Sequence, residues 1–89
     1  MTVYVDEITL HPTRGEWCHM MADSDAELHA FAAKLGLSRG WVHHHKGRVD
    51  VLHYDLRPNT RALAIQRGAV EVKTKAYLKR KLKEQRDKS

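Results

Sequence analysis

Cysteine occurs once in these 89 residues, at Cys18, which excludes an intramolecular disulfide and every metal motif built on paired cysteines. Proline occurs only twice, and no apolar run approaches the roughly 20 residues needed to span a bilayer, so a membrane role is excluded. The N-terminus lacks the charged, apolar and small-residue pattern of a secretory signal, and a single thiol asks for no oxidising compartment. The chain is therefore read as cytoplasmic. There is no internal repeat, no Gly-rich phosphate loop and no His-Glu-x-x-His zinc signature. A chain this short forms one domain with a modest core, which a homodimer would naturally supplement.

The formal charge of +5 is unevenly spread. Residues 73–89 hold eight Lys or Arg against two acids, a net of +6, while residues 1–72 carry −1. The body is nearly neutral and the tail is basic, so the high isoelectric point belongs to one helix-like segment rather than to a nucleic-acid-binding fold. A solvated helix face is the plain reading of that tail. Its interleaved Tyr77 also allows contact with a nucleic-acid backbone, through phosphates and with little sequence preference.

Val3-Tyr4-Val5-Asp6 alternates, with Val3 and Val5 on one face and Tyr4 and Asp6 on the other. Residues 7–16, with Pro12 and Gly15, read as a loop. A second strand over residues 17–21 puts Cys18 and Met20 on one face and Trp17, His19 and Met21 on the opposite one. Ser24 and Glu27 form a capping box, after which Leu28, Phe31, Ala32 and Leu35 make one buried helical stripe ended by Gly36.

Residues 37–48, with Gly40, Gly47 and three consecutive histidines, read as an irregular but ordered loop. Residues 49–56 alternate again, with Leu52, Tyr54 and Leu56 inward and His53 and Asp55 together on the other face, about 7 Å apart. Pro58-Asn59-Thr60 opens a second helix with Ala62, Leu63, Ile65 and Gln66 as its apolar face and Gly68 closing it. Residues 69–73 read as a fourth strand. From Thr74 a helix docks through Tyr77, Leu78 and Leu82 while its charged end frays. The order β-β-α-β-α-β-α predicts a small single-domain α/β sandwich of two or three layers with a partly parallel sheet. Residues 1–73 form its core, and the basic helix 74–89 belongs to the same domain.

Val3-Tyr4-Val5-Asp6, Cys18-His19-Met20 through Ala22-Asp23-Ser24 and Glu27-Leu28-His29, His53-Tyr54-Asp55, Arg61-Ala62-Leu63-Ala64 and Gly68-Ala69-Val70 together resemble the family called domain of unknown function 4031. The resemblance spans residues 1–72 and implies a protein of bacteria or their phages, with no activity to carry over. The tract His43-His44-His45 and the basic tail stand outside that pattern and are treated as peripheral. The tract invites adventitious nickel or zinc.

Titratable groups concentrate where strands hand over to helices, the usual ligand position in small α/β domains. The first expectation is a binding site for a phosphorylated ligand, a nucleotide or short nucleic acid, formed by Tyr4, Trp17, His19, Asp23, His53, Asp55 and Arg61, with Asp6 beside them. Arg61 in the first turn of the second helix offers a forked donor to phosphate, Trp17 or Tyr4 a stacking face, and the histidines and acids hydrogen bonds. Sequestering a host nucleotide would suit a phage protein. The second is a metal-dependent phosphoesterase or nuclease in which Asp6, His19, His53 and Asp55 hold a divalent ion that activates water. The third is a nucleic-acid or protein adaptor acting through residues 73–89.

Blander roles compete at each position. Trp17 serves equally as a core aromatic, Arg61 as a surface residue, and His19 as a hydrogen-bond partner of Asp23 or Asp55. Asp25 and His29, four apart, make a local pair. Cys18 lies on the apolar side of its strand, where a thiol is inert.

Overall fold

The computed structural model describes residues 2–45 and 51–87. The elements run β1 (Val3–Val5), β2 (Thr9–His11), β3 (Gly15–Ala22), α1 (Asp25–Lys34), a 3-10 turn (Arg39–Trp41), β4 (His43–His45), β5 (Val51–Leu56), α2 (Pro58–Gln66), β6 (Val70–Glu71) and α3 (Thr74–Asp87). Strand order is β4-β5-β3-β1-β6, with β2 pairing the first half of β3 beside β1. Among the described residues only the β1–β6 pair is parallel. The mixed α/β fold with a partly parallel sheet is as the sequence pattern predicts.

Two strands appear where a loop was expected. The segment 7–16 contains β2, joined to β3 by a tight turn at Pro12-Thr13-Arg14. Gly15 leaves that turn at φ 83, and a Cβ there would meet the Arg57 guanidinium at 3.1 Å. The second is β4, made of the three histidines. The expected loop over residues 46–48 and the strand start at 49–50 lie outside the described residues, as does the chain beyond Asp87, where fraying was expected.

The alternation of β1 and β3 sorts two cores onto opposite sheet faces. Val3, Val5, Cys18, Met20, Tyr54 and Leu56 pack with Leu28 and Ala32 of α1 and Ala64 of α2. Tyr4, Met21 and Val51 pack with Tyr77 of α3, and Leu82 joins them. The sandwich therefore has three layers. Helix α1 starts as its capping box dictates, with Ser24 Oγ accepting from the Glu27 N–H at 3.2 Å, and Gly36 at φ 81 closes it. In α2 the buried residue is Ala64, while Ala62 and Gln66 are exposed, so the expected stripe is rotated. Leu78 of α3 is exposed as well.

Candidate functional site

Register assembles the site. His19 on β3 stands opposite Asp55 on β5, and His43 on β4 stands opposite His53 on β5. Directly opposed residues bring their Cβ atoms within about 5 Å, so three adjacent antiparallel strands offer three imidazoles and a carboxylate on the face shared with α3. His19 Nε2 lies 4.0 Å from Asp55 Oδ1, His53 Nε2 3.5 Å from the same oxygen, and His43 Nε2 3.5 Å from Asp55 Oδ2. His53 meets His19 edge-on at 5.0 Å and stacks on His43 at 5.6 Å. One ligand atom from each of His19, His53 and Asp55 fits within 4.8 Å of the others.

Asp6 stands behind His19. It follows β1 directly and is 1% exposed. Its carboxylate accepts from the His19 N–H at 2.5 Å and the Thr74 hydroxyl at 2.7 Å, and it pairs with His19 Nδ1 at 2.7 Å. Burial pushes the Asp6 pKa up, but these hydrogen bonds outweigh it and hold the group below the usual aspartate value. The same bond raises the His19 pKa against the effect of burial. His53 shifts the other way, because burial disfavours its charged form. Holding Nδ1 of His19 on a carboxylate fixes the ring and leaves Nε2 facing Asp55, the arrangement found behind metal-ligating histidines. Imidazole nitrogen with carboxylate oxygen suits zinc, manganese, iron, cobalt or nickel.

Of the clefts that reach the cluster, two are the larger. The first, about 280 Å³, lies between α3 (Thr74, Tyr77, Leu78) and Asp6, His19 and His53. The second, about 540 Å³, opens at the end of the sheet where β5 passes into α2, and is lined by Arg14, Trp17, Trp41, His43, Asp55 and Arg57 among others. The Arg57 guanidinium sits 4.1 Å over the Trp17 ring, Trp17 Nε1 donates to the Arg14 carbonyl at 2.7 Å, and Trp41 is 60% exposed. Among the described residues neither Arg14 nor Arg57 pairs with a carboxylate.

Of the residues singled out from sequence, Asp6, His19, His53 and Asp55 come together. Trp17 is adjacent, but its face carries Arg57 rather than standing open to a base. Arg61 is spent elsewhere: its Nε donates to the Asp6 carbonyl at 2.8 Å and its Nη2 to Glu71 at 3.1 Å. The helix N-terminus expected to meet phosphate does open on the second cleft through Thr60, with Arg57 as its guanidinium.

Tyr4 and Asp23 form a separate cluster. Tyr4 OH donates to Asp23 at 2.9 Å and accepts from Arg80 at 2.8 Å, and Asp23 pairs with Thr2 where Asp6 pairs with His19, about 13 Å away along the strand. His19 thus orients on Asp6 and not on Asp23. His29 bonds Tyr54 OH at 2.7 Å rather than pairing with Asp25. Cys18 is buried, with burial pushing its thiol up to about 12, as an inert core residue should be. Sequence reasoning missed His43, Trp41, Arg14 and Arg57. The usable signal for His43 was the alternation within its own tract, which sets it on the face opposite His44.

No helix among the described residues is long and apolar enough to cross a membrane. No curated protein and no solved structure matches the chain. The family described as "Protein of unknown function (DUF4031)" matches residues 3–84, a span that takes in the histidine tract and most of α3 as well as the sheet. The chain belongs to this DUF4031 family.

Proposed function

We propose that the chain binds a phosphorylated ligand, a nucleotide or short nucleic acid, and cleaves its phosphoester with a divalent metal held by His19, His53 and Asp55. The observation that carries this reading is the convergence of those three donors with Asp6 fixing His19 from behind. His19 is 45% exposed, so the cluster faces solvent and leaves room for water and substrate beside the protein ligands, as catalytic sites do and structural ones do not. The same donor set also serves iron sites that activate oxygen, but two guanidiniums beside it, with no carboxylate partner among the described residues, favour an anionic substrate.

His19, His53 and Asp55 would hold a divalent ion, which would supply an activated water and polarise a phosphoryl oxygen. His19 and His53 supply Nε2, and Asp55 supplies charge. Loading the site displaces the proton that Asp6 favours on His19. His43 accepts the proton of the attacking water as the new P–O bond forms, and returns it to the leaving oxygen as the ester P–O bond breaks.

The test is hydrolysis of bis-p-nitrophenyl phosphate and of short oligonucleotides by the untagged full chain, with manganese, zinc or magnesium and with chelator. Cleavage that needs metal and falls by about 100-fold or more in His53→Ala and Asp55→Asn supports the proposal. A ligand bound and returned unchanged with every metal would contradict it and leave a sequestering protein. Nucleic acid bound but never cleaved, and released when the basic residues of α3 are replaced, would point instead to an adaptor working through α3.

A further inference from the structure

We infer that the substrate is a single strand of nucleic acid, one nucleotide of which lies in the Trp41 and Arg57 cleft with the chain continuing past α3. This rests on the phosphoester reading and adds the substrate to it. Three observations point this way.

The larger cleft pairs an exposed aromatic ring with two guanidiniums that have no carboxylate partner among the described residues, and it shares His43 and Asp55 with the metal-ligand cluster. A base stacked on Trp41 would send its phosphate toward Arg57 and Arg14 and so to the cluster. Trp17 serves as the seat of Arg57 and as an anchor for the hairpin turn, since the guanidinium lies on its ring and also donates to the Arg14 carbonyl at 2.9 Å. The cation is thereby held without a carboxylate to neutralise it. That is the combination single-strand binders use: a sequence-tolerant stacking platform beside fixed positive charge.

The cluster also has a way out on its other side. The cleft against Thr74, Tyr77 and Leu78 begins at the same His19 and His53 and runs beneath a helix that is basic along its exposed side. A mononucleotide would need only the first cleft. A phosphodiester has a substituent on each side of the scissile phosphorus, and both sides are provided for here. Duplex is disfavoured because its bases are stacked on one another and cannot reach Trp41.

The experiment is titration of the full chain with a fluorescein-labelled oligothymidylate octamer in chelator, which prevents turnover. It is read by anisotropy and by quenching of the only two tryptophans, Trp17 and Trp41. The expected result is binding that weakens with salt, falls about tenfold in Trp41→Leu with loss of most quenching, and falls about tenfold in Arg57→Gln. Leu78→Glu, at an exposed position, should weaken the octamer several-fold while leaving thymidine monophosphate binding unchanged.

Octamer affinity unchanged by Trp41→Leu, a monophosphate that binds as tightly as the octamer, or a duplex that binds equally well would each overturn the inference. Asp55→Asn separates the two proposals, since it should still bind octamer in chelator with the Trp41-dependent quenching kept, the lost anion lining the cleft favouring the strand if anything, yet fail to cleave it with metal. Octamer bound in the Trp41-dependent manner but never cleaved would sink the phosphoester reading and leave the single-strand site standing.

Discussion

Asp6 is the residue on which the site and the fold both depend. Its carboxylate joins the end of β1 to β3 through His19 and to α3 through Thr74, with almost no access to water. Asp6→Asn keeps the shape and removes the charge. It should cost about 2–3 kcal/mol by urea unfolding, since a buried charge-assisted network is broken but His19 remains partly solvated. It should also weaken metal binding by about 10- to 100-fold, because His19 is no longer held.

The pH dependence has a definite sign. The His19 pKa is raised, so the stability contributed by its protonated form is fully present below the unfolded value of 6.5 and is lost as pH rises through the folded value. The Asp6 pKa is lowered, so its contribution is present above 3.8 and is lost as pH falls through the folded value. In metal-free protein the stability gap between the natural chain and Asp6→Asn should therefore narrow as pH rises past the raised His19 pKa. A gap unchanged between about pH 5 and about pH 9 would refute this assignment.

At the scale of elements, α3 closes one half of a sheet face and leaves the other half for chemistry. Tyr77 anchors it, 4% exposed and 5.4 Å from Tyr4. Glu7 accepts from the Thr74 N–H at 2.9 Å, placing an acid at the positive end of the helix dipole. Tyr77→Ala should cost about 3 kcal/mol and raise amide exchange in α3 more than in α1. Equal protection in both helices would mean that α3 is not held this way.

The elements also show what sequence could reveal. Strands β1, β3 and β5 were legible because alternation sorts their side chains between two different faces, and helix α1 because its capping box and apolar stripe agree. Strand β2 was not, since Thr9, Leu10 and His11 are all exposed and burial imposes no alternation on them. Strand β4 was not, because three identical side chains show no apolar-polar contrast to mark a strand, and alternation places His43 only once the strand is known. Arg61 looked like a ligand group from its place in the first turn of α2. Residue type and helix position do not reveal which neighbours a side chain meets, and here the strand end and Glu71 claim it while Arg57, just before the helix, faces the cleft.

At the scale of the molecule, the six-stranded sheet is covered among the described residues by α1 and α2 on one side and by α3 on the other. Among the described residues, the half-face that α3 leaves uncovered is where His19, His43, His53 and Asp55 stand. A metal there would tie β3 to β5 in the native state alone and so stabilise the fold by mass action.

The most direct test is titration of cobalt(II) into the untagged, metal-stripped full chain, followed by its visible absorption bands. One ion per chain is expected, displaced by zinc, lost in His53→Ala and in Asp55→Asn, and retained in His44→Ala, which alters the histidine tract outside the cluster. Failure to bind cobalt, or binding that survives the first two substitutions and vanishes with the third, would contradict the metal centre on which the account is built.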